Sequence, residues 1–341
     1  MNPCILFVVL LAAVVTGQEP ATPLRVLATT TDLADLARRV GGDAVEVHCL
    51  LKGPEDPHFI DARPTFIREA SRADVFVHNG LDLELGWAPL LLSESRNARI
   101  QTGTPGNVDC SRGIAVLDLP TGDIDRSFGD VHPHGNPHYL LDPLAGKVVA
   151  RTLRDAFTAL RPAAQKGLAE RCAALERAVD VALFGDKLLQ RFTGDTLGEL
   201  LAQGRLIAFL TERKADADLG GWAKVMAPLA GMKIVSYHGG GLRYFVHRFH
   251  LEVAAALEPK PGVSPSPGHL AQVVATIKAQ GVRGVFHAIY NERGAVKAVT
   301  DKTGARAALF AHQTLALPAA TDWLAMLDCN VRLFADTLGK P

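Results

Sequence analysis

Twice along this chain short β-rich runs alternate with helical stretches, and that alternation restricts the possible folds more than any other feature. Residues 24–29 (LRVLAT) have strand character, and in 32–40 the spacing of Leu33, Leu36 and Val40 puts them on one helix face. A strand over 45–51, a helix over 66–73, a strand over 75–78 and a helix over 83–92 continue the series. Strands separated by helices build parallel sheets covered on both faces. Residues 103–129 are rich in Gly, Asp and Pro and have the character of a long surface loop. A helix is predicted over 144–160, and a second from Pro162, where proline suits a first turn, to about Phe184. That second helix carries Leu168, Cys172, Leu175, Val179 and Leu183 as one buried stripe. The alternation then restarts with strands over 206–210, 232–237, 253–257 and 282–288, helices between them, notably 267–280, and a last amphipathic helix over 322–338.

A chain of 341 residues exceeds what one hydrophobic core usually supports. The expected fold is therefore α/β, with two lobes, each a mostly parallel sheet flanked by helices, joined by a long rigid helix. Residues 24–160 form the first lobe, 161–190 the linking helix and 191–341 the second lobe. At the N-terminus the apolar run 5–15, followed by Thr16 and Gly17, is too short to span a bilayer and has the proportions of a secretory signal. Residues 1–17 are expected to be removed on export to a periplasmic or other extracytoplasmic compartment. No Lys or Arg precedes the run, so a retained anchor is the alternative, and no Cys follows it to form a lipoprotein cleavage box. Cys49, Cys110, Cys172 and Cys329 then remain; one or two disulfides would suit that compartment, and no CxxC pair suggests a zinc ribbon. With 36 basic and 36 acidic residues, the chain has none of the basic excess of a nucleic-acid binder.

Of twelve histidines, three stand where a strand or loop gives way to a Pro- or Gly-marked turn: His58 in Asp56-Pro57-His58, His138 in Asn136-Pro137-His138, and His238 before Gly239-Gly240-Gly241. Ligands of open α/β sheets collect at the carboxyl ends of strands, where such turns occur. Imidazole is also a favoured ligand of zinc.

The segments GPEDPHFIDARPT, GNPHYLLDP, IVSYHGGGLRYFVHRFHLEV and EPKPGVSPSPGHL, in that order from Gly53 onward, resemble those of the cluster A-I solute-binding proteins, which deliver zinc or manganese to ABC importers. The resemblance runs from about Leu24 to the C-terminus. It implies two lobes joined by a rigid helix, with one ion in the cleft between them. It implies that His58 and His138 are ligands from the first lobe and His238 a ligand from the second. The family's fourth ligand is usually an acid near an FTDS-like segment. Here that segment corresponds to Phe310-Ala311-His312-Gln313, so His312 takes the acid's place, with His287, at the end of a strand, as the competing candidate. His132 and His134 lie where relatives carry a His-rich loop, which makes them either an auxiliary capture site or part of a solvated loop.

Nitrogen-only coordination favours zinc over manganese, which takes oxygen ligands more readily. Asp56 and Asp142 are candidates to orient the ligand rings. Because deprotonated imidazole is the ligand, affinity is expected to fall as the pH drops through about 6.5. The resemblance implies a monomeric receptor that works with an ABC permease and a separate ATPase chain, since nothing here resembles a P-loop. Two other readings stand beside it: a surface adhesin of the same fold, and a secreted zinc hydrolase. The second lacks HExxH and Gly-x-Ser-x-Gly segments, so the chain is expected not to be an enzyme.

Overall fold

The computed structural model describes residues 22–61, 63–120, 132–260 and 262–339; the expected signal segment 1–17 lies outside them. In the first half β1 (Leu24–Ala28), α1 (Thr31–Gly41), β2 (Val45–Cys49), α2 (Pro64–Arg72), β3 (Val75–His78), α3 (Ala88–Ser95) and β4 (Asn107–Asp109) alternate. The helices α4 (Pro143–Leu160), α5 (Gln165–Phe184), α6 (Asp186–Leu189), α7 (Gly194–Ala202), α8 (Leu206–Glu212) and α9 (Gly221–Met226) follow. The second alternation comprises β5 (Lys233–Ser236), α10 (Arg243–Arg248), β6 (Glu252–Ala256), α11 (Pro267–Gln280), β7 (Gly284–His287), α12 (Arg293–Thr303), β8 (Arg306–Leu309) and α13 (Trp323–Leu338). The strands form two four-stranded parallel sheets, ordered β2-β1-β3-β4 and β6-β5-β7-β8, so the second half repeats the topology of the first.

Three sequence expectations differ from these elements. Residues 206–210 form the start of helix α8 rather than a strand. Leu206 and Leu210 are its buried residues, and that four-residue spacing is helical, although a short apolar run cannot be told from a strand by hydrophobicity alone. The fourth strand of the second sheet is instead β8, whose Arg306-Ala307-Ala308-Leu309 has no apolar alternation to announce it. The segment read as a loop over 103–129 contains the three-residue edge strand β4. The stretch read as one linking helix over 161–190 comprises a 3-10 turn, α5, and α6 beyond Gly185.

The pleat divides each central strand between two cores. Val26 and Ala28 of β1, with Val75 and Val77 of β3, face a core shared with Leu33, Leu36 and Val40 of α1, while Leu27 and Phe76 face a separate cluster with Phe66, Trp87 and Leu91. In the second sheet Ile234 and Phe286 turn to that same shared core, and Val235 and Val285 turn outward under α11 and α12. The predicted stripe on α5, Leu168 to Leu183, is buried, and α5 packs on α1 and α4 from the first half and on α9 from the second. One apolar core therefore runs through both lobes. Helix α13 closes it, with Trp323 packed against α4 at Gly146, where a Cβ would come within 1.9 Å of the indole. The four described cysteines are free thiols, Cys110 and Cys172 within the shared core.

Candidate metal centre

The carboxyl ends of both sheets meet at one cleft. The segment after β2 reaches across to the segment after β8: the Gln313 amide donates to the carbonyls of Gly53 (2.9 Å), Glu55 (3.0 Å) and Lys52 (3.3 Å). Gly53 is needed for this approach, because a Cβ there would lie 2.1 Å from the backbone of Leu315. From the first turn of α1, Thr31 donates its hydroxyl to Thr314 O (2.7 Å), and Asp32 accepts the Thr314 N–H (2.7 Å) and its hydroxyl.

Asp56-Pro57-His58 and Asn136-Pro137-His138 adopt the same local structure. In each, the side-chain oxygen of the Asx residue accepts the histidine N–H two residues on, at 3.0 Å from Asp56 and 2.9 Å from Asn136. Proline restricts the middle of the turn. Each proline carbonyl is itself anchored by a buried donor, Trp87 Nε1 on Pro57 O (3.0 Å) and Asn79 Nδ2 on Pro137 O (2.9 Å). The two imidazoles are thereby aimed before any ligand arrives. Their ring centres lie 5.2 Å apart.

His238 enters from the second lobe, immediately beyond β5, with its ring centre 5.7 Å from that of His138 and 6.4 Å from that of His58. Asp56 accepts from His58 Nδ1 (2.7 Å), and Glu258, beyond β6, accepts from His238 Nδ1 (2.8 Å). A carboxylate on Nδ1 fixes the tautomer and leaves Nε2 as the free lone pair. Asp142, the other sequence candidate for this work, is instead paired with Arg248 in a buried fork at 2.6 and 2.7 Å. Glu258 escaped notice because nothing in the sequence says that β6 lies beside β5.

The remaining histidines separate clearly. His132 packs beside His58, with ring centres 5.3 Å apart and the two Nε2 atoms at 3.3 Å. His58, His132 and His138 can each offer a ligand atom within 4.8 Å of the others; among the described residues this is the one group of at least three possible ligands so placed. His312 lies in the cleft, its Nε2 at 3.3 Å from Glu55 O and its ring edge-on to Tyr290. His287 is buried at the end of β7 with Nδ1 at 3.1 Å from Ala288 O, a strand-end histidine paired to backbone. His134 is exposed and pairs with Asp82 at 2.6 Å.

Burial, followed by the neighbouring imidazoles His58 and His238, keeps His138 well below the usual histidine range and pushes His132 down to about 4. Burial likewise pushes His312 down to about 4, against the opposing pull of the Glu55 carbonyl and Asp56. Burial works to raise Asp56, but its hydrogen bonds from His58 hold the carboxyl below its ordinary value. His138 Nε2 is buried without a hydrogen-bond partner. Neutral imidazoles with unshared lone pairs in one cleft suit a divalent cation of borderline softness. The cavity among His138, His238, His312, Asn79 and Tyr290 has a volume of about 40 Å³, enough for an ion or a water and too small for an organic solute. A vestibule of about 290 Å³, lined by Asp56, Glu258 and Glu292, opens beside His58 and His238.

The sequence matches the family described as zinc-uptake complex component A, periplasmic (ZnuA), over residues 26–182 and 218–337. It is 28% identical over 160 residues to the manganese ABC transporter substrate-binding lipoprotein PsaA of Streptococcus anginosus, covering 46% of this chain and 49% of that protein. It is 30% identical over 125 residues to the iron ABC transporter substrate-binding lipoprotein MtsA of Streptococcus pyogenes serotype M1, covering 36% and 40%. The chain thus spans about half the length, or less, of these curated relatives. A crystal structure of ZnuA superposes with a TM-score of 0.68 at 20% identity, over 93% of this chain and 100% of that one. The manganese-bound periplasmic metal binding protein from Candidatus Liberibacter asiaticus superposes with a TM-score of 0.65 at 17% identity, over 92% and 99%. At such identities the likeness establishes the two-lobed fold.

Proposed function

The chain belongs to the ZnuA family of periplasmic zinc-uptake components, and from that premise we propose that it is an extracytoplasmic receptor that captures one divalent ion, zinc, and hands it to an ABC permease. The observation that carries this reading is the convergence of His58, His138 and His238, two of them braced by carboxylates and the third with a buried, unpartnered Nε2. In this reading those three Nε2 atoms hold the ion. Asp56 and Glu258 orient their rings and raise their basicity, and with Glu292 they give the vestibule a negative lining that attracts cations. The nitrogen-rich donor set favours zinc over manganese, the metal in the name of one relative, because imidazole ligation suits zinc and manganese prefers oxygen. His58, His132 and His138 provide no oxygen ligand among themselves.

The permease and its ATPase would be separate chains, and the receptor itself a monomer. Among the described residues no helix is long and apolar enough to cross a membrane. The match to a family of uptake components, rather than the room beside the histidines, weighs against a zinc hydrolase. Elemental analysis of the purified chain and calorimetric titration of zinc into the chelator-stripped form test the proposal. Zinc is expected to bind one ion per chain and to displace manganese, with His58→Ala and His238→Ala each weakening it. A chain that takes up no zinc, or a His58→Ala/His138→Ala/His238→Ala variant with undiminished affinity, would refute it.

A further inference from the structure

Resting on that reading, we infer that the fourth ligand is Nε2 of His132, from the segment just before the Asn136-Pro137-His138 turn, and that His312 is a positioning residue outside the coordination sphere. Zinc–imidazole bonds of about 2.0–2.1 Å, set tetrahedrally, place neighbouring ligand nitrogens about 3.3–3.4 Å apart. The His132 and His58 Nε2 atoms stand 3.3 Å apart. Asp56 accepts the Nδ1 proton of His58, so the His58 nitrogen facing His132 is a lone pair. An ion at the open side of this pair would also meet His138 Nε2, which is buried without a partner and belongs to the same group within 4.8 Å. His238 would then be the single ligand from the second lobe.

The segment that carries His132 is pinned where this requires. Gly135 N donates to His132 O (3.1 Å), Asn136 N donates to Leu117 O (2.9 Å), and His134 holds Asp82. One strand-to-helix connection would therefore contribute two ligands, six residues apart. His312 has a different environment. Its Nε2 donates to Glu55 O and its ring stands edge-on to Tyr290 at 4.7 Å, beside the Gln313 amide that gathers the carbonyls of residues 52, 53 and 55. Both side chains thus hold the segment that presents His58. The Nδ1 of His312 is buried and unpartnered, so it is the atom that a competing assignment would use.

The test uses the full chain loaded with cobalt(II) in place of zinc, read by its visible d–d spectrum, together with zinc affinity by chelator competition. His132→Ala and the bulkier His132→Gln are expected to shift the d–d bands, as water or an amide oxygen replaces an imidazole, and to weaken zinc by at least about 100-fold, at or beyond the top of the roughly 10–100-fold range for losing an outer-shell partner. His312→Ala is expected to keep the wild-type spectrum. Retention of that spectrum and of wild-type affinity in both His132 variants overturns the inference, as does its loss in His312→Ala with retention in His132→Ala. A His58→Ala variant that binds zinc as the wild type does would instead remove the receptor reading itself.

Discussion

Asp32 offers the sharpest quantitative test of how the two lobes are held together. It sits at the start of α1 with 5% of its surface exposed, and its carboxylate takes the N–H and hydroxyl of Thr314 from the opposite lobe. Burial raises its pKa from 3.8 to about 7, more than the Thr314 hydrogen bonds lower it, with nearby Asp35 adding to the rise. The unfolded chain ionises Asp32 near 3.8 and the folded chain only near 7, so the native state binds the extra proton between those values. Its contribution to stability is fully present below the unfolded value and is lost as the pH rises to about 7. Each pH unit in that window is worth about 1.4 kcal/mol, which gives roughly 4 kcal/mol in all. Asp32→Asn keeps an acceptor for Thr314 but cannot ionise. In urea unfolding of metal-free protein, the stability of the variant relative to wild type should rise by about 4 kcal/mol between pH 4 and 8, most of it below pH 7. All other titrating groups are common to both proteins and cancel. A difference constant to within about 1 kcal/mol would show that Asp32 is ionised in the fold and that the Thr314 bonds outweigh its burial.

Four further outcomes follow from other contacts. Asp56→Asn and Glu258→Gln remove the carboxylates on His58 and His238 Nδ1, and each should lower zinc affinity about 10–100-fold in calorimetry while leaving the circular dichroism spectrum unchanged. Gly146→Ala drives a methyl group into Trp323 and should destabilise the protein by about 1–3 kcal/mol, seen as a lower melting temperature. With His132 held down to about 4 and His138 well below its usual range, these two proposed ligands should shed fewer protons on binding zinc at pH 5 than ordinary imidazoles would. The affinity loss between pH 7 and 5 should therefore be shallower than four ordinary imidazoles titrating near 6.5 would give, and release of close to four protons per ion at pH 5 would contradict this. Small-angle scattering should give the same radius of gyration with and without zinc, because separating the lobes would expose their shared core; a clear contraction on loading would count against that.

The parts of the fold that were legible in the sequence are those whose pattern is local. The helical spacing of Leu33, Leu36 and Val40, the five-residue stripe of α5 and the apolar runs of β1 and β3 each record burial along one element. β8 was missed because Arg306-Ala307-Ala308-Leu309 owes its place to its neighbour β7, and α8 was misread because a run of five apolar residues suits either element. The same division holds in the cleft. Asp56-Pro57-His58 and Asn136-Pro137-His138 carry their aiming device within three residues, so the sequence exposes them. The neighbours of His132, the reach of Gln313 to residues 52–55 and the pairing of Glu258 with His238 depend on which strand ends lie opposite one another.

That dependence also bears on how the cleft keeps its geometry. Four cross-lobe ties surround the histidines: Gln313 to residues 52–55, Thr314 to Asp32, Asn136 Nδ2 to Gly240 O at 2.8 Å, and the buried Arg248–Asp142 fork. Two of these are made by residues beside a histidine of the cleft, Gln313 next to His312 and Asn136 in the turn of His138. Breaking a buried polar contact without a replacement costs about 1–3 kcal/mol, more where a charge is involved. Opening the lobes widely would break several together and wet the apolar core behind them. The ties hold the strand ends in register, so His238 of the second lobe faces a set of first-lobe imidazoles already aimed by their own turns. In the proposed receptor, entry of an ion would then require only movement of side chains and short segments at the rim, leaving the core and the ties in place.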